Sequence, residues 1–324
     1  MNRLRNYRIA GIFLALGFFL LAPKILPEMK IHLIIEILIY ALWAVAFNLL
    51  FGHGGLLAFG FGAPFGVGAY TAALIFRDFA GVPLLLTLAI VCGVGFASGL
   101  LIGSLSVRLK GAYFALITFG FQMFFYAIAL KWYSVTKGDD GFGASRPPLS
   151  VPFLGDISFA PISNVYYFTL VIVSLAIVGT YFFQKTPLGN SIALVRENDV
   201  RPPFLGYNVY LTRLTVFSVS CLLAALAGGL FVFFNEFVST AVIDMNVSMI
   251  VLLMVIIGGS EKFLVPILGA AFYVLVQNWL SSMTNRWFLV MGAIFILVVM
   301  YLEGGLISLF QSKQSQPEAT SERR

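Results

Sequence analysis

Charge is scarce in this chain. Only 10% of its 324 residues are Asp, Glu, Lys or Arg, against roughly 25% in ordinary soluble domains. A water-facing surface of this size cannot be built from so few charges. The 60% hydrophobic content, with 33 phenylalanines, points to lipid as the solvent. Histidine and cysteine are nearly absent, with two of each. Cys92 and Cys221 fall inside apolar runs without CxxC or zinc spacing and read as small packing residues. His53, between Gly52 and Gly54, has no second ligand at metal spacing and reads as an interfacial polar residue. None of the eight lysines completes a G-x-x-x-x-G-K-[ST] phosphate loop, which closes that route to ATP hydrolysis. H-E-x-x-H and G-x-S-x-G are missing too. No catalytic residue, metal ligand or cofactor is therefore expected, and any energy for active transport comes from a partner. The excess of 20 basic over 14 acidic residues is spread between apolar runs, which argues for membrane topology and against nucleic acid.

What is present is a series of apolar runs separated by short polar breaks. About 20 residues cross a bilayer as a helix. The stretch ahead of Pro27 is long enough to span, lacks a clear cleavage site and is followed at once by further spans, so it reads as a first helix rather than a signal peptide. Further runs cover 31–51, 55–76, 83–107, 112–130, 165–183, 214–234, 247–257, 264–280 and 287–302. The expectation is an all-α polytopic membrane protein of about ten transmembrane helices in one domain, 1–310, with a disordered polar tail, 311–324. With the N-terminus inside, thirteen Lys and Arg fall on the cytoplasmic side and seven outside, which places both termini in the cytoplasm. Two loops exceed simple turns: 132–164 outside, rich in Gly and Pro, and 185–213 inside, with Arg196, Glu197, Asn198 and Arg201 ahead of Pro202, Pro203 and Gly206.

Glycine is densest between Phe51 and Ala73. Such a run weakens a helix unless close contact or unusual backbone angles require it. Ala58, Gly62 and Gly66 recur every four residues as a helix contact would ask, and Pro64 removes a backbone donor and invites a break. Packing alone and a broken helix lining a pathway are both open readings. A second ladder, Gly95, Gly99 and Gly103, reads as helix packing, and Leu88 between Pro83 and Val107 reads as lipid-facing. Polar groups within the spans are few: Glu36, Asn48, Gln122, Asn235, Glu236, Gln277 and Asn278. Gln122 and Gln277 look deepest, so Gly62, Pro64, Gly66, Gln122 and Gln277 are the candidate pathway residues.

Several of these segments are similar to one family. The glycine-rich run from Asn48 to Ala73, the segment RLKGAYFA from Arg108 to Ala115, and Thr136 to Gly141 match its motifs in order. So do Arg196 to Asn198, Leu205 with Gly206, Ala227 to Gly229, Gly258 with Gly259, and Pro266 to Ala270. The chain resembles the membrane permease subunits of bacterial branched-chain amino acid ABC transporters, particularly the M-type subunit. The resemblance implies an importer in the inner membrane, in contact with lipid and assembled with a second permease subunit, two cytoplasmic ATP-binding subunits and an external solute-binding protein. It makes 185–213 the cytoplasmic coupling segment, with Arg196, Glu197, Asn198, Arg201 and Gly206 meeting an ATPase. Pro202 would start a short helix there. Branched-chain or other apolar amino acids are the implied solutes. Urea, amides or aromatic acids on the same scaffold, and a self-sufficient channel or secondary transporter, are the alternatives.

Overall fold

The computed structural model describes residues 23–301 apart from 25, 80, 152–154, 158, 199–200, 261 and 285. The expected first helix and the tail 311–324 lie outside the described residues. The helices are α1 (Glu28–Asn48), α2 (Gly62–Asp78), α3 (Leu84–Ser106), α4 (Ala112–Lys131), α5 (Ile162–Lys185), α6 (Pro187–Glu197), α7 (Val209–Asn235), α8 (Met245–Gly258), α9 (Val265–Met283) and α10 (Trp287–Tyr301). Two small antiparallel pairs accompany them. β1 (Phe142–Gly143) pairs with β4 (Phe237–Val238), and β2 (Leu149–Val151) with β3 (Gly155–Ile157).

Among the described residues, seven helical stretches are long and apolar enough to cross a membrane: α1 extended to His53, α3, α4, α5, α7, α8 counted from Thr240, and α9. α10 is a shorter apolar helix. The expected ten are thus seven by this measure. One expected span lies outside the described residues, and α2 has only 17 residues because the first part of its expected run, 55–61, is not helical.

α1 and α7 form the centre. Ile35, Leu42, Trp43 and Phe47 of α1 are fully buried, and α7 packs against α3, α2 and α1. Small residues permit this. Gly95, Gly99 and Gly103 bring α3 against Ala225, Cys221 and Phe217 of α7. Gly68 meets the backbone of Ala225 and Gly228 the carbonyl of Phe65, so α2 and α7 cross with their main chains in contact. Leu88 belongs to this packing: it is buried, not lipid-facing. The outward leucines of α3 are Leu85, Leu101 and Leu105, each more than half exposed. Aliphatic side chains there suit lipid, whereas Leu88 sits on the stripe that carries Gly95 and Gly99 toward α7.

Candidate functional site

Two stretches of the chain leave helical geometry within the bundle. The first follows α1. A π-turn spans Leu49–His53, and the amides of Gly54 and Leu56 reach back to the carbonyls of Leu49 and Leu50, both at 3.1 Å. Residues 55–58 are then irregular, with Gly55 at φ 66°, 59–61 turn, and α2 starts at Gly62. Among the described residues, the amides of Leu57, Ala58, Phe59, Gly60 and Phe61 donate no hydrogen bond. The break therefore precedes Pro64, which is the third residue of α2, where a missing N–H costs nothing. Ala58 lies on the non-helical stretch and so shares no helix face with Gly62 and Gly66.

The second stretch follows α7. Glu236 turns the chain with φ 55°, β4 pairs with β1, Thr240–Val242 make a 3₁₀ turn, and α8 starts at Met245. Asp244 caps α8, its carboxylate accepting the Asn246 amide at 2.8 Å. An acid at this end also balances the helix dipole.

The starts of α2 and α8 meet at one closed hydrogen-bond network. The Gly62 amide donates to Ser248 Oγ at 2.6 Å, and the Ser248 hydroxyl donates to Gln122 Oε1 at 2.6 Å. Gln122 Nε2 donates to the carbonyls of Ile243 at 2.9 Å and Asp244 at 2.8 Å. Gln122 is fully buried and stands ten residues after Ala112 in a helix of 20, at the middle of a crossing. A Cβ on Gly62 would lie 2.8 Å from Gln122 Nε2 and 2.9 Å from Ser248 Oγ, and one on Gly66 would collide with Ile243. The structure thus brings Gly62, Gly66 and Gln122 together, with Pro64 in the adjoining turn. Gln277 is elsewhere, on α9, with its Oε1 buried and unpartnered. Asp244 and Ser248 are members that sequence reasoning missed. An acid just ahead of an apolar run was a legible helix start for Asp244, while nothing distinguished Ser248 from other serines in helices.

Each interrupted stretch is fastened from one end of the bundle. At one end Thr136 to Gly141 folds into a compact loop in which Asp139 accepts the Thr240 hydroxyl. Arg77, at the end of α2, donates to the Val135 carbonyl at 2.8 Å and lies 4.3 Å over the Phe142 ring. Arg146 caps α7 through the carbonyls of Phe233 (2.7 Å) and Phe234 (2.5 Å) and pairs with Glu236 at 3.3 Å. At the opposite end Arg196, the penultimate residue of α6, donates to the Gly52 carbonyl, and Gln184 approaches His53 Nδ1 at 3.4 Å. A cavity of 410 Å³ opens here between Leu56, Leu57 and Phe59 and the start of α4 at Gly111 to Leu116.

The segment 185–213 differs from expectation. Its helix is α6, begun by the Thr186 cap, which accepts the Gly189 amide at 3.2 Å, and by Pro187 at the first helical position. Pro202–Leu205 form only a 3₁₀ turn, ended by Gly206 at φ 83°. Arg196 faces the chain's own Gly52, Asn198 ends α6, and Glu197, Arg201 and Gly206 are exposed.

The family model described as "Branched-chain amino acid transport system / permease component" matches residues 30–300. The high-affinity branched-chain amino acid transport system permease protein LivM of Salmonella typhimurium is 26% identical over 84% of this chain and 68% of its own length. The protein of that name from Escherichia coli K12 matches with the same identity and coverage. The guanosine ABC transporter permease protein NupQ of Bacillus subtilis is 35% identical over a shorter region, 25% of this chain and 24% of its own. No solved structure matches.

Proposed function

Because the chain belongs to the family of branched-chain amino acid transport system permease components, we propose that it passes apolar amino acids across the membrane at the junction around Gln122. It is a multi-pass permease subunit of an ABC importer, a family whose members work with ATP-binding subunits and another permease. The observation that carries the proposal is that the non-helical stretches ahead of α2 and α8 meet inside the bundle at one hydrogen-bond network around Gln122. Non-helical backbone at membrane depth is stable only inside protein or beside water, and interrupted helices of this kind mark midplane sites in other transporters. A zwitterion suits the groups available there. Free amides at Leu57 to Phe61 can meet a carboxylate, and the Asp244 carboxylate can meet an ammonium.

In the full reading there are ten crossings, both termini are cytoplasmic, and an external binding protein docks over 132–164. Two ATPases receive 185–213 through Glu197, Asn198, Arg201 and Gly206, while Arg196 passes their motion to Gly52. Gly62, Pro64, Gly66 and Gln122 belong to the path. Gln277 does not. The test is uptake of labelled L-leucine by vesicles holding both permeases and the ATPases, with binding protein outside and ATP inside. Accumulation should require ATP. Uptake without ATP or without the ATPase chains would refute the importer reading, and ATP-driven uptake of guanosine but not leucine would refute the solute. Reporter fusions at Asp140 and Arg196 should report outside and cytoplasm.

A further inference from the structure

A second polar cluster lies away from the Gln122 junction, between α1 and α9. The two helices run antiparallel, because Asn48 Nδ2 at the end of α1 donates to the Lys262 carbonyl, three residues before α9 starts, at 3.3 Å. Counting back twelve residues from Asn48 reaches Glu36, and counting forward eleven from Lys262 reaches Tyr273, so the two share one level. Tyr40 stands one turn from Glu36 and Gln277 one turn from Tyr273, on the same faces and on opposite sides of that level. α1 and α9 pack against each other along this stretch.

The groups in this cluster lack partners. Among the described residues, the Glu36 carboxylate makes no hydrogen bond and no ion pair. Tyr273 is 1% exposed and its hydroxyl is unpartnered, as is the buried Gln277 Oε1. Glu36 lies eight residues into α1, about 12 Å along the helix axis. An isolated carboxylate at such depth is costly. The unsatisfied atoms are a carboxylate, an amide oxygen and phenol hydroxyls, all able to donate electron pairs to a cation, with the Tyr40 ring alongside.

We propose that Glu36, Tyr273 and Gln277, with Tyr40, form an intramembrane site for a singly charged cation, either a metal ion such as sodium or an alkylammonium group. One positive charge neutralises Glu36 and engages the oxygen atoms left over on α9. A divalent ion would leave a net charge in lipid, since Glu36 is the cluster's only acid.

The experiment is labelling of the intact assembled importer in lipid by dicyclohexylcarbodiimide, which attacks carboxyl groups in apolar surroundings, followed by peptide mass spectrometry at Glu36. The probes are sodium chloride, potassium chloride, 3-methylbutylammonium chloride and L-leucine, at constant osmolarity with sucrose as filler. Glu36 should label without a probe, and a bound cation at ten times its dissociation constant should slow labelling about elevenfold, as the free fraction falls accordingly. Protection by sodium or potassium assigns a metal ion; protection by 3-methylbutylammonium or leucine alone assigns an ammonium group. Tyr273→Phe and Gln277→Leu should weaken protection while leaving the unprotected rate intact. Labelling that no probe slows, or no labelling at Glu36 in the native assembly, overturns the proposal.

Discussion

At Gln122 one side chain satisfies two carbonyls and a hydroxyl, and through Ser248 it also holds the first amide of α2. Gln122→Leu would leave these groups unpartnered, at a cost on the order of 2 kcal/mol. The variant should melt several degrees lower in detergent and lose uptake, and Ser248→Ala should be milder because Gln122 keeps its two carbonyls. Melting unchanged in both would show that the network contributes nothing to the fold. Gly66→Leu should block assembly by collision with Ile243, whereas Gly93→Leu, on the open face of α3, should be accepted. Gln122 was legible in the sequence because an amide in an apolar run must find a partner. Ser248 was not. A serine in a helix commonly bonds its own preceding turn, as Ser98 and Ser106 do here, and only the tertiary fold decides which serine reaches across.

At the scale of elements, each of the two interrupted stretches has a side-chain fastening at its outer end. Asp139 accepts Thr240 four residues ahead of Asp244, and Arg196 holds Gly52 ahead of the path to Gly62. Thr240→Val removes one fastening and Arg196→Ala the other. Each should lower solute-stimulated ATPase activity and uptake together while leaving the basal ATPase rate and membrane insertion intact. Gly206→Val should act with Arg196→Ala, since φ 83° strains a branched residue. Full coupling in the Arg196→Ala, Gly206→Val double variant would remove 185–213 from the coupling route. Apolar content announced these crossings but not their interruptions, because hydropathy ignores the path of the backbone. The glycine density did mark the first break, while Pro64 drew attention to the wrong side of it. Likewise Pro202 and Pro203 obscured a plainer helix start at Thr186 and Pro187.

For the molecule as a whole, membrane residence and the family's motifs were readable in order along the chain, since lipid imposes its composition on nearly every residue. The placement of Leu88 was not, because a leucine suits both lipid and a helix interface. The five unbonded amides from Leu57 to Phe61 have one more consequence. Deuterium enters backbone amides when they are free of hydrogen bonds and reached by water. In most membrane helices both conditions fail together. If the 410 Å³ cavity beside these residues admits water, Leu57 to Phe61 should exchange within seconds in the assembled importer, while α1 before them and α2 after them stay protected for hours. A segment so placed is an isotopic window into the middle of the bilayer. Its exchange should slow when solute fills the path, and protection equal to that of its neighbours would mean that the stretch is sealed in protein.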